Sequence, residues 1–280
     1  MTTRRRAVAT TAALTCGAAL IAGAAYTGYT GYTGAPSAAG DPDGEGDLAG
    51  KSAQQISDDA LGELVAAKSL RLRTETTANP TKLDLTLDQA GNCAGAISKG
   101  PFGRVQIIKR GNKVWLKPDA AFWKSQLPGR EGTDAAEKYK NKYLHGTTRD
   151  DFLQSLSVAC DLTAFQESAV GPNRPPTGTP PPSHPLSPTP TPTLSKGKPT
   201  VHEGRPVLPV TKKFDGIVQT LYVATKGRPY PLKLTAEADH QIGTILLSNY
   251  GTPVPAKTPA PRDTVDIAVY EDLIQGTKSV

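Results

Sequence analysis

The sequence predicts an α+β fold in which a curved antiparallel half-barrel sheet carries helices on its concave face. Residues 70–75 and 82–88 alternate apolar and charged side chains, the pattern of strands with one buried and one wet face. Residues 52–67 place apolar residues at helical spacing, and further short strand patterns follow, separated by turns. Short strands joined by turns favour an antiparallel meander, and the helical runs supply the layer that covers it.

The composition excludes several classes of protein. The 280 residues include 37% apolar and 6% aromatic residues, with only 3 Cys and 4 His. No long apolar run follows residue 26, which excludes a membrane protein with several spans. The few Cys and His make a metal centre unexpected. The formal net charge is +6, but the Lys and Arg residues are dispersed, so no nucleic-acid partner is predicted.

The amino-terminal segment predicts export. Arg4, Arg5 and Arg6 precede an uncharged, alanine-rich run over residues 7–25 that ends in Ala22-Gly23-Ala24. A positive start, an apolar run and small residues at its end are typical of a signal peptide. Residues 1–25 are therefore either a cleaved signal or a retained single-span anchor. Either outcome places the protein at the outer face of the cell membrane or in the secreted fraction.

Cys16 lies inside this apolar run and is a candidate for lipid attachment. Thr15 directly before it and Leu14 depart from the usual lipoprotein cleavage pattern, and apolar sequence continues to Ala25. Cys16 is therefore either an acylated cysteine or an ordinary small residue of the signal. Residues 26–50 then combine Tyr-Thr-Gly triplets with Ala, Gly, Pro and acidic residues, which predicts a disordered tether.

The first half of the remaining chain continues with strands and then returns to helix. Further strands are predicted at residues 95–98, 104–110 and 113–117, and helices at residues 134–143 and 149–160. Cys93 lies in a glycine-rich strand turn and Cys160 at the end of a helix. Because disulfides persist in exported proteins, we expect a Cys93–Cys160 bridge that joins helix to sheet; two free thiols are the alternative. A disulfide that closes so long a loop should raise the free energy of unfolding by about 4 kcal/mol.

A proline-rich segment over residues 171–200 separates the two halves and predicts an extended, disordered insertion. Beyond it, strands are predicted at residues 207–212, 217–226, 230–237, 243–250 and 264–270, with a short turn over 270–275 and no helix. A sheet without helices would leave an apolar face uncovered. We therefore expect residues 51–276 to form one domain that the proline-rich segment interrupts; two small domains are the alternative.

No catalytic motif is present. The four histidines are isolated in sequence: His145, His184, His202 and His240. Metal binding is therefore not expected, and no Gly-x-Ser-x-Gly motif supplies a nucleophile. The adjacent pairs Asp58-Asp59 and Asp150-Asp151 fit the first turns of helices better than an acid/base site. The sequence predicts no catalytic residue, no cofactor and no metal, and thus no enzyme.

Trp115, Phe122 and Trp123 form the one aromatic cluster that the sequence suggests. Aromatic residues at the end of a strand and in the following turn usually pack in the core, which is the interpretation we favour here. The alternative is that the three rings line the mouth of a ligand site.

Several short motifs resemble a group of actinobacterial, Streptomyces-type exported lipoproteins. The resemblance is carried by segments 92–95, 111–119 and 122–123 in the first half and by segments 221–224, 227–234 and 248–251 in the second. These proteins are similar to the LolA-like superfamily, which includes mycobacterial lipoproteins of the LppX and LprG type. The likeness covers about residues 51–276, with the proline-rich segment as an insertion, and the pattern around Cys16 departs from it.

The resemblance implies a non-catalytic protein that binds the acyl chains of a lipid or glycolipid between the sheet and its helices. An apolar gap of this kind stays dry and accepts an apolar ligand, unless the protein's own side chains fill it. The alternative is an envelope interaction or sensor module that grips a membrane protein, with the proline-rich insertion as its docking segment. The sequence identifies neither that protein partner nor the lipid.

Overall fold

One open sheet of thirteen strands organises the computed structural model, which describes residues 48–170 and 192–278. The strands are β1 (Ser69–Thr76), β2 (Thr81–Asp88), β3 (Cys93–Lys99), β4 (Arg104–Arg110), β5 (Lys113–Pro118), β6 (Tyr143–Thr147), β7 (Thr193–Lys196), β8 (Thr200–His202), β9 (Arg205–Phe214), β10 (Ile217–Ala224), β11 (Pro231–Ala238), β12 (Gln241–Ser248) and β13 (Thr264–Asp266). The helices are α1 (Ala53–Ala66), α2 (Ala120–Gln126), α3 (Gly129–Lys138), α4 (Asp151–Ser157), α5 (Leu162–Val170) and α6 (Ala268–Lys278). The fold is α+β.

The strand order shows how the two halves of the chain combine. It runs β13-β6-β5-β4-β3-β2-β1-β12-β11-β10-β9-β7, with β8 beside β9. The halves meet where β1 pairs with β12, with Leu72 opposite Leu247. All pairs are antiparallel except β13 with β6, which is parallel. The expectation of a purely antiparallel sheet is wrong at this edge, because the chain crosses from β12 to the far side of the sheet before it forms β13.

The face of the sheet that carries Leu72 and Leu85, called the inner face here, holds the main core. Alternation along each strand brings apolar side chains to this face, including Leu87, Ile107 and Leu116, each at most 1% exposed. The same core cluster contains residues from all six helices. The helices therefore cover the inner face, and the opposite, outer face carries most of the charged residues of strands β1 and β2.

Helix α1 starts where the sequence predicts because Ser52 closes a capping box with Gln55. Its residues Ile56, Ala60 and Leu64 are fully buried, at spacings of four residues that place them on one side of the helix. The end of α1 is held by the buried Gln166 of α5, whose side-chain amide donates to the carbonyl oxygens of Leu64 and Ala67, both at 2.8 Å.

Two helix predictions need correction. The helix predicted over residues 134–143 ends at Lys138, because Asn141 adopts a left-handed φ of 62° and the chain then enters β6. The strand and turn predicted over residues 264–275 are also wrong beyond Asp266, because α6 begins at Ala268. Ile267 and Tyr270 lie three residues apart and are both buried, 3% and 5% exposed, so the apolar spacing there is helical. The second half thus contributes a helix of its own.

The predicted disordered insertion over residues 171–200 is wrong at its end. Residues of β7 and β8 pair with β9, with Lys196 opposite Val210 and Thr200 opposite Val207. Main-chain pairing needs few apolar side chains, which explains why composition missed these strands. The rest of the insertion, residues 171–191, lies outside the described residues, as do the predicted signal with Cys16 and most of the tether.

Cys93 and Cys160 are joined in a disulfide, with their Cα atoms 5.4 Å apart. Cys93 is the first residue of β3 rather than part of a turn, and Cys160 follows α4 in a short 3-10 turn. Both are almost completely buried, so the bridge ties the helical layer to the sheet inside the core. Within residues 48–170 and 192–278, no helix has both the length and the apolar character that crossing a bilayer requires.

Candidate functional site

A continuous row of side chains on the inner face crosses the junction between the two halves. The register places Leu83 opposite Thr74, Thr74 opposite Ile245, Ile245 opposite Leu234 and Leu234 opposite Leu221. The row therefore crosses five neighbouring strands, β2, β1, β12, β11 and β10. At about 4.8 Å between strands, its two ends lie about 19 Å apart along the sheet. We call these five residues the inner row.

The inner row is less completely covered than the next inner-face positions along its strands. All five of its side chains are half-buried. One step along the strands, the equivalent positions Leu85, Leu72, Leu247 and Val223 are 0%, 4%, 2% and 0% exposed. Leu83, Ile245 and Leu234 pack against the main core on one side and keep accessible apolar surface. The row is thus a mainly apolar strip of the inner face that the helices cover only in part.

The next positions beyond the inner row carry short side chains. Gly243 of β12 lies opposite Thr76 of β1 and Ala236 of β11, and Ala236 lies opposite Gln219 of β10. Glycine and alanine project little or nothing above the backbone. These two positions, which are themselves buried, therefore carry no bulky apolar side chain, whereas the same face is filled with leucine and isoleucine between β2 and β5.

The helical layer also presents apolar side chains that are only half-buried. They pack against the main core cluster and retain accessible surface; they are Leu61 of α1, Phe152 of α4, Phe165 of α5, and Leu273 and Ile274 of α6. Sheet and helices thus both contribute accessible apolar surface next to one core. Surface of this kind can bind an apolar molecule and supplies no group for acid, base or nucleophilic chemistry.

Helix α1 covers the inner face of the second half. Its residues Ile56 and Ala60 pack against Leu208, Val210 and Val223 of β9 and β10 in a separate, smaller core cluster. Two polar contacts fix its ends. Lys196 Nζ donates to the carbonyl oxygens of Ala49 and Lys51, at 2.9 and 2.7 Å, and Arg228 pairs with Glu63 at 2.7 Å. Together with the hydrogen bonds from Gln166, these contacts hold α1 over the second half.

The second-half motif residues meet beside α1. The rings of Tyr230 and Tyr250 stack with their centroids 4.2 Å apart, and the Arg228 guanidinium lies 5.4 Å from the centre of the Tyr230 ring. The Tyr250 hydroxyl donates to the carbonyl oxygen of Pro231, and burial raises the pKa of Tyr250 above its usual value. This group fixes the connection between β10 and β11, and its role is structural.

The three predicted aromatic residues do not form one cluster. Trp115 lies on the outer face of β5, where its ring is 4.9 Å from that of His145. Phe122 and Trp123 of α2 belong to the main core and contact Tyr270, with ring centroids 6.0 and 5.9 Å apart. Burial raises the pKa of Tyr270 to about 12. The predicted grouping is wrong because consecutive strand residues project to opposite faces: Leu116 lies on the inner face, so Trp115 lies on the outer face.

The acidic and histidine candidates do not converge on a site. Asp59 binds Lys51 and Asp58 binds Gln54, while Asp150 accepts from the backbone of Thr147. The described histidines are dispersed. His145 packs against the Trp115 ring, His202 lies near the Tyr222 ring, and His240 is exposed in a turn. His184 lies outside the described residues. Within those residues, no three Asp, Glu, His or Cys side chains are grouped as a metal site would require.

The outer face carries a charged pair on β1 and β2, next to the junction. Arg71 of β1 forms two hydrogen bonds with Asp84 of β2, at 2.7 and 2.8 Å. The hydrogen bonds to Arg71 hold the pKa of Asp84 below its usual value. On the inner face, burial lowers the pKa of Lys109, whose ammonium donates to the carbonyl oxygen of Gly91 beside the disulfide strand. Both contacts stabilise the scaffold.

The sequence did not reveal the inner row. Its residues belong to predicted strands, and their alternation already assigned them to one face. However, Leu83 and Leu234 are far apart in sequence, and only the pairing of β1 with β12 brings them into one row.

Comparisons with known proteins give distant structural likenesses. No family model matches the chain, and no curated protein does. LprF from Mycobacterium bovis has a TM-score of 0.46 at 13% identity, over 74% of this chain and 97% of LprF. The lipoprotein LppX from Mycobacterium tuberculosis has a TM-score of 0.44 at 10% identity, over 73% of this chain and 98% of LppX. An uncharacterised conserved protein from Thermus thermophilus has a TM-score of 0.31 at 10% identity, over 76% of this chain and 98% of the Thermus protein. The fold class itself is given by the strand order and helix packing: an α+β fold with a large open sheet.

Proposed function

We propose that this chain is a non-catalytic, exported envelope protein that binds a lipid or another hydrophobic ligand against the inner face of its sheet. The inner row carries the proposal. Its half-buried side chains stand next to a closed core, so covering them with an alkyl chain would remove further apolar surface from water. Each 100 Å² covered in this way is worth about 2.5 kcal/mol.

Two further features support the same function. The row, about 19 Å long, is of the length of an extended acyl chain. The sequence resemblance to LolA-like lipoproteins implies acyl-chain binding between sheet and helices. The amino-terminal pattern of residues 1–25 supports a place at the outer face of the cell membrane, and we propose that residues 51–276 act there as one domain.

Uptake of a fluorescent fatty acid by the full chain tests the proposal, together with native mass spectrometry of the protein as purified. Ile245→Gln places an amide in the inner row and should weaken uptake at least about tenfold, since an unpaired amide in an apolar contact is costly. Leu246→Gln is the matched control. Leu246 is the next residue of β12, is equally half-buried and lies on the outer face, opposite Arg73 and Lys233.

The two variants distinguish binding at a specific site from nonspecific hydrophobic binding. If the protein carries no lipid and takes up no fatty acid, the carrier function is wrong and the interaction or sensor module becomes the better hypothesis. If uptake occurs but Ile245→Gln and Leu246→Gln weaken it equally, the inner row is not the binding site.

A further inference from the structure

Four cations lie together on the outer face of the first half of the sheet. The pairing of β4 with β5 gathers them on the face away from the main core; they are Arg104 and Arg110 of β4, and Lys113 and Lys117 of β5. We call these four residues the outer basic group. Arg104 and Lys113 are exposed, and the other two are half-buried. In the sequence these cations alternate with apolar residues, and folding collects them on one surface.

No carboxylate balances the outer basic group on its own part of the sheet. The outer-face positions of β3 to β6 carry no Asp or Glu, and none of the four cations forms a salt bridge within residues 48–170 and 192–278. The acidic residues of the flanking elements are already engaged. Arg71 binds Asp84 twice, Asp119 accepts from the first turn of α2, and Asp266 accepts from the backbone of Ala268.

Two of the cations are arranged unfavourably unless an anion joins them. Arg110 and Lys113 lie directly opposite each other across β4 and β5, and like charges in such a pair destabilise a sheet. Arg110 Nη1 donates to the carbonyl oxygen of Lys109 at 3.1 Å. Its Nη2 is buried and has no acceptor among the described residues, although buried donors are nearly always paired. An anionic acceptor from another molecule would relieve both costs.

The side chains between the cations suit a hydrated partner. The exposed amide of Gln106 lies opposite Lys117, whose ammonium is 5.6 Å from the centre of the Tyr143 ring. Beside them the rings of Trp115 and His145 lie 4.9 Å apart. Amide, imidazole and phenol groups can donate and accept hydrogen bonds, and the rings add flat surface. Such a surface can bind a molecule that carries hydroxyl groups as well as charge.

The same surface does not suit a bilayer. On the outer face of β4 and β5, Trp115 is only 8% exposed and Ile108 is half-buried, so no large apolar side chain is free to insert. The exposed Phe102 lies in the connection before β4, where its carbonyl oxygen accepts from Ser125 of α2. Charge without exposed apolar side chains favours a water-soluble polyanion over a membrane.

We propose that the outer basic group binds an anionic polysaccharide, a chain of sugars with negative charges at regular intervals. Arg104 and Arg110 are six residues apart on one strand, a span of about 20 Å, so the charges follow a line that an extended polymer can match. A polysaccharide rather than a nucleic acid rests on the proposed place outside the cell. The site lies on the opposite face from the inner row and does not depend on lipid binding.

Calorimetric titration of the full chain with polygalacturonate at low salt tests this proposal. Polygalacturonate should bind, uncharged dextran should not, and raising the salt to about 0.5 M should weaken binding at least about tenfold because the charges are screened. Arg110→Gln with Lys113→Gln should weaken binding at least about tenfold. The matched control is Arg130→Gln with Lys124→Gln, which removes the same two charges from exposed positions of α3 and α2. Equal losses in the two double variants would show attraction by net charge alone and overturn the proposal.

Lys113→Glu gives a second test, in which better folding should accompany worse binding. The new carboxylate opposite Arg110 should raise the midpoint of thermal unfolding by about 1–2 °C and weaken polygalacturonate binding at least about tenfold. Unchanged binding in this variant overturns the proposal.

Vesicles of phosphatidylglycerol distinguish the alternative partner. If the native chain binds these vesicles but not polygalacturonate, the partner is a membrane surface and the proposal is wrong. Fatty-acid uptake should be the same in the native chain and in Lys113→Glu, because the inner row is on the other face. Failure of the polysaccharide site would therefore leave the lipid-binding function standing.

Discussion

The two halves of the sheet differ in how their inner faces are covered. From β2 to β6 the face lies under α2 to α6, and residues such as Leu85, Ile107, Leu116 and Leu144 are 0–1% exposed. From β10 to β12 the residues of the inner row keep accessible apolar surface, and α1 alone packs on β9 and β10 through a small cluster. The first half is filled mainly by its own side chains, whereas in the second half Val223 and Leu247 are buried but Ile245, Leu234 and Leu221 are only half-buried.

This difference separates stability from binding within one sheet. A closed core gains its free energy from side chains that are present in every molecule, so it folds without a ligand. A half-open face leaves part of that gain to be made when another molecule covers it. Changes in the first half should therefore cost stability, and changes in the inner row should cost binding.

Removal of the disulfide should have the largest effect, in the filled half. The bridge closes a loop of 67 residues between β3 and the end of α4. Cys93→Ala with Cys160→Ala should lower the free energy of unfolding by about 4 kcal/mol, because the unfolded chain regains the entropy of that loop. Urea unfolding followed by circular dichroism measures the change, and the native chain under reducing conditions serves as the control. A loss below about 1 kcal/mol would contradict a core in which this bridge joins the two layers.

A matched pair of leucines compares the halves directly. Leu116→Ala should cost about 3 kcal/mol, since Leu116 is 0% exposed and its removal leaves a cavity in a filled core. Leu234→Ala in the inner row should cost about 1 kcal/mol, because a half-buried side chain loses less burial. Lipid uptake should fall more in Leu234→Ala than in Leu116→Ala. Equal losses of stability in the two variants would mean that the halves are packed alike.

The attachment of α1 supplies an intermediate effect. Gln166 is 3% exposed, and its amide is the donor to two carbonyl oxygens at the end of α1. Gln166→Leu leaves both carbonyls without this partner and should cost about 2 kcal/mol. Hydrogen exchange should rise in α1 more than in α2, because α1 alone loses its anchor. Gln154→Leu, at an exposed position of α4, is the control, and similar exchange in both variants would argue against the anchoring role.

The smallest expected effect lies on the outer face, where Arg71 and Asp84 pair at the junction of the halves. The pKa of Asp84 is lowered by its hydrogen bonds to Arg71, so the folded state favours the charged carboxylate. The pair therefore stabilises the fold above about pH 4, the unfolded value, and this contribution is lost as the pH falls through the lowered folded pKa.

Because the two side chains are 40% and 45% exposed, Asp84→Asn should cost only about 0.5 kcal/mol near neutral pH. Urea unfolding at about pH 7 and about pH 3 measures the difference, which should shrink at the lower pH. A difference that grows on acidification would show that the pair does not favour the charged form of Asp84.

Several parts of the fold follow from local sequence. The alternation in residues 70–75 and 82–88 predicted β1 and β2 with the correct buried faces, and the apolar spacing in 52–67 predicted α1. The strands β6, β7 and β8 and the helix α6 were missed. Backbone pairing needs no apolar pattern in the edge strand, and the short apolar run after residue 264 fits strand and helix alike.

The candidate site depended on contacts that no local pattern contains. Alternation assigns a side chain to a face of its strand, but it does not say which strand lies beside it, since that depends on how the whole chain buries its apolar surface. The sequence by itself determined the period of each strand, the start of α1 and the absence of a catalytic motif. Only the tertiary structure decided that β1 pairs with β12, that the inner row stays half-open, and that Trp115 and Trp123 lie on opposite sides of the sheet.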